Sequence, residues 1–587
     1  MMDNKPGFEN IDKIRNAYPY FDLSTRKFSR SDKFGHIGGI PLFYDAEARR
    51  VYIDSSDTHS LVYGSTGSLK TRSIVSPGIK ILGYAGESLI INDPKGELFS
   101  RHAGDLSKQG YNIVEINFRE PVVGNAWNPL HIPYQLYVNG DIDKASEFIN
   151  DIATNLMISD KSTDDPFWDF SASDLLYGLI QLLFRYCKDH NAPINSVNIG
   201  NLMILRRVLF SGKLQAQHTM LWKYASEDEL VAASLSGSVY APKDTMNSIL
   251  SVFDQKLRTF SIQPALLDML ANNDFEIADV GKTKTAVFLI TPDEKTSYHR
   301  LVSMFVKQSY EYLIYMATLT PNNKMEIRVN YMLDEFSSLP QIADMPSMIS
   351  AARSRDIRFL LVVQSQSSLK RRYSDEAQTI ISNCSNWIFF TSRELNLLKE
   401  LSELCGTQRN GLPNMSVFEL QHLSKDRREA LVLAGRLKPA KVNMLDIDKF
   451  GDRSYILLEH ERHVRLEREK LTFELNKEIQ EKYKTPDRAN PFEFNHDYRP
   501  EITTSPDRPN PFVNSNLVDV KPTPDNKKPE SDKKKTTKVP SHEELTNIIK
   551  KIDERIAELE AEEAREKAEK ANKASDESNI AGGEKGE

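Results

Sequence analysis

The sequence predicts an α/β protein: a parallel sheet covered by helices, interrupted by an all-helical segment and followed by a long polar tail. Three observations predict it. Short apolar runs separated by helical segments occupy residues 36–141 and again 281–450, the pattern of strands buried on both faces. Between them, residues 142–280 carry helical periodicity with very few strand runs. Past residue 450 the chain turns highly charged, then rich in Pro, Asn, Asp and Lys. The 587 residues imply several domains, and a hydrophobic fraction of 40% implies that part of the length is not packed.

Residues 1–35 read as a polar, irregular segment. Strand signals begin with Pro41-Leu-Phe-Tyr44 and Arg50-Val-Tyr-Ile53. They continue with Leu61-Val-Tyr63, Ser88-Leu-Ile-Ile-Asn-Asp93 and Asn112-Ile-Val-Glu-Ile-Asn117. Residues 74–82 suit a helix kinked at Pro77-Gly78. The inserted segment reads as helices over 142–157, 172–188, 199–209, 214–224 and 240–257. Strand runs resume at Thr285-Ala-Val-Phe-Leu-Ile290, Val329-Asn-Tyr-Met-Leu-Asp334, Ile357-Arg-Phe-Leu-Leu-Val-Val363, Trp387-Ile-Phe-Phe-Thr391 and Ala430-Leu-Val-Leu-Ala434. Helices over 298–317 and 395–404 lie between some of them.

The tail divides into a charged helix (451–484), a disordered linker (485–540) and a terminal helix with its frayed end (541–587). In the linker, Thr485-Pro-Asp-Arg-Ala-Asn-Pro-Phe492 recurs as Ser505-Pro-Asp-Arg-Pro-Asn-Pro-Phe512, a docking motif or a simple duplication. The lysine cluster over 527–538 keeps the linker solvated or makes transient contacts with nucleic acid or acidic partners. Ser541 and Glu544 form a capping box. Leu545, Ile549, Ile552, Ile556 and Leu559 then give a seam of about two heptads, for self-association or a partner helix, with an exposed single helix as the alternative.

The net charge of −7 excludes a globally basic nucleic-acid footprint, so any such contact is local. Three scattered cysteines, Cys187, Cys384 and Cys405, form no zinc spacing and read as reduced cytosolic thiols. The first residues lack a signal-peptide apolar region. The most apolar helical stretch, 175–187, is broken by Gly178, Gln181 and Arg185. The expectation is a soluble, cytoplasmic chain that reaches a membrane only through a partner.

The chemistry concentrates at Gly64-Ser65-Thr66-Gly67-Ser68-Leu69-Lys70-Thr71. A strand, a glycine-containing turn, Lys-Thr and then a helix is the form of a phosphate-binding P-loop. Lys70 would reach the phosphates, and Thr71 would hold Mg²⁺. The pattern G-x-x-x-x-G-K-[ST] departs at one place, where Leu69 replaces glycine; the alternative is a strand-turn-helix junction with a surface lysine. A second constellation, Asp334-Glu335, ends an apolar strand. If that strand lies beside the P-loop strand, Asp334 can bind Mg²⁺ through water and Glu335 can orient the attacking water. Gln364, leaving the next strand, can sense the γ-phosphate or make an ordinary strand-end bond. In Ala351-Ala-Arg353-Ser-Arg355-Asp-Ile357 an arginine, Arg355 in particular, can act in a neighbouring subunit's site or be plainly solvated.

The motif order resembles the type IV secretion coupling proteins, the VirD4/TraG conjugation ATPases, over roughly residues 36–440. The matching stretches are the P-loop, Asn92-Asp-Pro-Lys-Gly-Glu-Leu-Phe99, Ala126-Trp-Asn-Pro-Leu130, Asp165-Pro-Phe-Trp-Asp169, Leu333-Asp-Glu-Phe336, Val363-Gln-Ser-Gln-Ser-Ser-Leu-Lys370 and Ile380-Ile-Ser-Asn-Cys384. The resemblance implies a RecA-like nucleotide-binding domain (36–141 and 281–450) with an inserted all-α domain (142–280). It implies a homo-hexamer that uses ATP and Mg²⁺ to pass DNA, with its relaxase or relaxosome, into a type IV secretion channel. It assigns Lys70 and Thr71 to nucleotide and Mg²⁺, Asp334 and Glu335 to the Walker B pair, and Gln364 to the third motif. The family's usual N-terminal membrane anchor is not visible, so a separate membrane protein is the expected tether at the inner face of the membrane. Two further readings stand beside the motor. One is a docking platform in which Leu69 weakens hydrolysis, and the other is a protein-secretion adaptor that handles no DNA.

Overall fold

The computed structural model describes residues 11–32, 35–158, 166–210, 215–292, 294, 298–451, 467–471 and 473. Four short strands form a small antiparallel sheet in the order β2-β1-β4-β3: β1 (Tyr20–Asp22), β2 (Lys27–Phe28), β3 (Ile40–Asp45) and β4 (Arg50–Asp54). Two of these strands and a helix at Ile11–Ala17 lie in the stretch expected to be irregular. Strands of three and two residues are too short to show alternation. β1 is held by pairing with β4, Phe21 standing opposite Val51, and β2 by pairing with β1, Phe28 standing opposite Phe21.

The main sheet has nine strands: β5 (His59–Tyr63), β6 (Ser88–Asp93), β7 (Asn112–Asn117), β8 (Thr285–Ile290), β9 (Val329–Leu333), β10 (Ile357–Val363), β11 (Cys384–Phe389), β12 (Glu429–Ala434) and β13 (Ala440–Asn443). Their order is β13-β12-β11-β5-β10-β9-β6-β8-β7. The pairs from β11 to β7 are parallel, and β12 and β13 extend one edge antiparallel. Both faces are covered, which is why the strands read as unbroken apolar runs. Leu61 and Tyr63 of β5 enter the core on one face, and Val62 enters the core on the other.

After β5, the chain makes a wide helical turn over Thr71–Val75 and then the α-helix Ser76–Ala85. The expected kink at Pro77 takes this form. Pro77 lies in the helix's first turn, where its missing N–H costs least.

Every described element between β7 and β8 is helical. The inserted region therefore sits inside the crossover of two adjacent parallel strands. Its centre is the helix Phe167–Asp189, packed against Ile142–Met157, Glu229–Val239 and Lys243–Ser261. Gly178 permits the closest approach, since a Cβ there would lie 2.6 Å from Leu235. Helix Glu229–Val239, capped by Asp228, was not expected from the sequence. The expected helix over 214–224 shortens to Met220–Ala225.

The charged-helix expectation for 451–484 fails where residues are described. Residues 467–471 have no helical assignment. Asn198 and Asn201 take their backbone bonds instead, as with Leu471 N–H to Asn201 Oδ1 at 3.0 Å. The repeat, the lysine cluster and the terminal seam fall outside the described residues. All three cysteines are free and buried, and burial pushes the Cys187 and Cys405 thiols up to about 12.

Candidate functional site: a P-loop facing paired carboxylates

The turn after β5 is held on both sides. Gly64 N–H donates to Val363 O at the end of β10 (3.2 Å), and Ser65 N–H donates to Thr391 O beyond β11 (3.0 Å). Gly67 has φ +76°. A Cβ on Gly64 would come within 2.4 Å of Ser68 Oγ, and that buried hydroxyl has no partner among the described residues. Ser65, Thr66 and Gly67 are exposed at the loop's rim. The Lys70 ammonium is buried and donates to the carbonyls of Gly64 and Ser65. Burial lowers its pKa, and the charges of Asp334 and Glu335 oppose that shift.

Leu69 has φ +68°. The one departure from the P-loop pattern thus falls where the loop needs the left-handed region. There glycine is unstrained and leucine costs ~1–2 kcal/mol.

β9 does not lie beside β5. β10 stands between them, so the adjacency considered from sequence does not hold. The two motifs meet all the same, because Thr71 lies beyond the loop on the helical side: Thr71 Oγ1 donates to Asp334 Oδ2 at 2.7 Å. Burial raises the pKa of Asp334, opposed by the Thr71 hydrogen bond, the Lys70 charge and the Glu335 N–H. Glu335 follows in the left-handed region at φ +52° and is half-buried.

Gln364 leaves β10 at this same edge, half-buried, and its side chain bonds no described residue. Gln366, two residues on, is committed to structure: its N–H donates to Glu394 and its amide to Glu400. Arg355 lies at the other end of β10, before its first residue, so it does not meet Lys70 in one subunit. Arg353, in the same turn, is the more exposed and contacts Asp57 at 3.4 Å.

The donor set fits nucleotide phosphates with Mg²⁺: an orphaned hydroxyl, a close glycine cradle, a buried ammonium and a hydroxyl–carboxylate pair. Among the described residues no group of three or more His, Cys, Asp or Glu is arranged around a metal. Mg²⁺ here would draw on Thr71, Asp334, phosphate and water.

A sequence model of the type IV secretory system conjugative DNA transfer family matches residues 26–468. The chain belongs to that family. The conjugal transfer protein TraG of Escherichia coli is 24% identical over 402 residues, covering 66% of this chain and 60% of TraG. Protein VirD4 of Rhizobium radiobacter is 22% identical over 409 residues, covering 68% of this chain and 55% of VirD4. The chain therefore spans less than two thirds of the length of these relatives. The plasmid coupling protein TrwB in complex with ADPNP superposes with a TM-score of 0.50 at 16% identity, covering 67% of this chain and 86% of TrwB. That likeness supports the RecA-like α/β fold. TrwB has also been solved with ADP and Mg²⁺. Among the described residues no helix is long and apolar enough to cross a membrane.

Proposed function

We propose that this chain is an ATP-dependent coupling protein that recruits DNA, with its relaxase or relaxosome, to a type IV secretion channel and drives conjugative transfer. The observation that carries the reading is the Thr71–Asp334 bond. It joins P-loop and strand-end carboxylates in a chain of the conjugative transfer family. Lys70, Thr71 and the loop N–H groups of residues 64–71 would hold the phosphates, with Asp334 and Thr71 beside Mg²⁺. Bound Mg²⁺ supplies charge neutralisation across the phosphates. Glu335 would orient and deprotonate the attacking water, and Gln364 would bond the terminal phosphate or that water. Arg355 or its exposed neighbour Arg353 would enter the site of the next subunit in a homo-hexamer. The helical region, residues 142–280, would contact the transferred nucleoprotein, and a separate membrane protein would tether the assembly.

DNA-stimulated ATP hydrolysis by the purified chain tests this. Wild type turns over, and Lys70→Ala loses that turnover. No hydrolysis above the Lys70→Ala level sinks the motor. One observation favours a second reading, a docking platform with weak hydrolysis: Leu69 in the left-handed region of the loop. Capture of relaxase and origin DNA by a chain without turnover would select it.

A further inference from the structure

Asn92-Asp93-Pro94-Lys95-Gly96 runs from the end of β6 into the following turn, and the sheet order gives this turn a task. β6 is the direct neighbour of β9, with Asn92 opposite Leu333. The next residues, Asp93 and Asp334, therefore stand side by side at the strand ends, about 4.8 Å being the usual strand spacing. Asn92 Nδ2 donates to Asp334 O at 2.6 Å, tying the two ends together. Asp93 is buried, and its carboxylate accepts the Phe99 N–H at 2.8 Å, fixing the start of the helix Glu97–Lys108. Gly96, at φ +73°, closes the turn with its N–H on Asp93 O at 3.3 Å. Asp93 is thus spent on holding the turn.

The residue this turn presents is Lys95. It is exposed, and among the described residues its ammonium forms no ion pair. Lys95 follows the end of β6, and β5, β10, β9 and β6 run parallel in that order, so it lies on the same edge as Lys70 and Thr71, on the far side of the carboxylates from the P-loop.

We propose that the Asp93–Gly96 turn is a second phosphate-facing element of the nucleotide site, with Lys95 binding the terminal phosphate of a nucleoside triphosphate. This rests on the nucleotide reading of the P-loop. Lys70 approaches the phosphates from within the loop, and Lys95 approaches from across Asp334 and Glu335, where a triphosphate extends and a diphosphate does not. Asn92 and Asp93 are positioning residues.

The test is the affinity of the full chain for ADP and for a non-hydrolysable ATP analogue, each with Mg²⁺, in wild type, Lys70→Ala, Lys95→Ala and Lys95→Arg. Losing one charge-assisted phosphate contact is expected to weaken the analogue about tenfold in Lys95→Ala. ADP binding stays near wild type, and Lys95→Arg recovers most of the loss. Lys95 is exposed, so its removal leaves the fold intact. Equal weakening of both nucleotides would reduce Lys95 to a counter-charge for Asp334 and overturn the proposal, as would no change in either. A wild type that binds neither nucleotide, or binds both as well as Lys70→Ala does, removes the P-loop reading itself.

Discussion

Leu69 is the residue at which the loop's geometry and the proposed chemistry meet. In the left-handed region its side chain costs ~1–2 kcal/mol. Glycine would relieve that strain and add ~0.4–1 kcal/mol of unfolded-chain entropy. Leu69→Gly is therefore expected to shift the denaturation midpoint little. Its effect appears in turnover: a loop relieved of the leucine adapts to phosphate more readily, and kcat for DNA-stimulated hydrolysis rises several-fold. An unchanged kcat would show that the loop already accommodates the side chain. Two residues on, Thr71 makes a different point. Its hydroxyl reaches Asp334 across the intervening β10, so a pair separated by more than 260 positions in sequence is joined by a helix start rather than by neighbouring strands.

β5 carries the P-loop at one end and a buried histidine at the other. His59 accepts the Phe359 N–H of β10 through Nδ1 at 3.0 Å, and burial pulls its pKa down to about 4. The unfolded chain, with a pKa near 6.5, then binds more protons than the folded one between those values. Stability from this group is full above about pH 6.5 and falls by about 3 kcal/mol as pH drops through about 4. The urea midpoint is expected to decline from pH 7 to pH 5. The decline is expected to be shallower in His59→Asn, which keeps an acceptor for Phe359 but cannot charge. Equal slopes would place the acid sensitivity elsewhere. β5 also shows what the sequence reveals. Strands β8 and β10 were legible to the residue because burial on both faces makes them continuous apolar runs. Helix Glu229–Val239 was not, because its Ala, Ser and Gly positions give little periodicity and its fixing contacts come from Phe167–Asp189. The motif residues of the site were legible as residue types at fixed spacing. The place of Lys95 was not, because it depends on β6 lying beside β9, and strand order is a tertiary property.

The main sheet separates the candidate nucleotide site from a buried charge network by the length of its strands. The P-loop edge holds Lys70, Thr71, Asp334 and Glu335. The opposite edge buries two guanidiniums, Arg328 and Arg358, against one carboxylate, Glu87, at 3.7 and 3.2 Å. Arg358 also donates to the carbonyls of Asp54 and Ser56, and Arg328 to that of Ser55, so the small sheet is fastened to the large one here. Asp32 lies 3.5 Å from Arg328 and adds the N-terminal segment. Asn330 of β9 bonds both Glu87 and Arg358. Burial, with the Arg328 charge, pulls the Arg358 pKa down to about 10, opposed by the charges of Glu87, Asp54 and Asp32. Glu87→Gln keeps the shape and removes the carboxylate that lies within 4 Å of both arginines. Breaking a buried pair this way costs about 3–5 kcal/mol. The expected outcome is a large drop in the urea midpoint, with faster hydrogen exchange first in β3, β4 and the start of β10. Nucleotide affinity of the folded fraction is expected to stay at the wild-type value, because no group of this network touches the P-loop edge. A midpoint unchanged by Glu87→Gln would mean that water or other acids already neutralise the arginines. A parallel loss of nucleotide affinity would mean that the two edges communicate through β9 and β10.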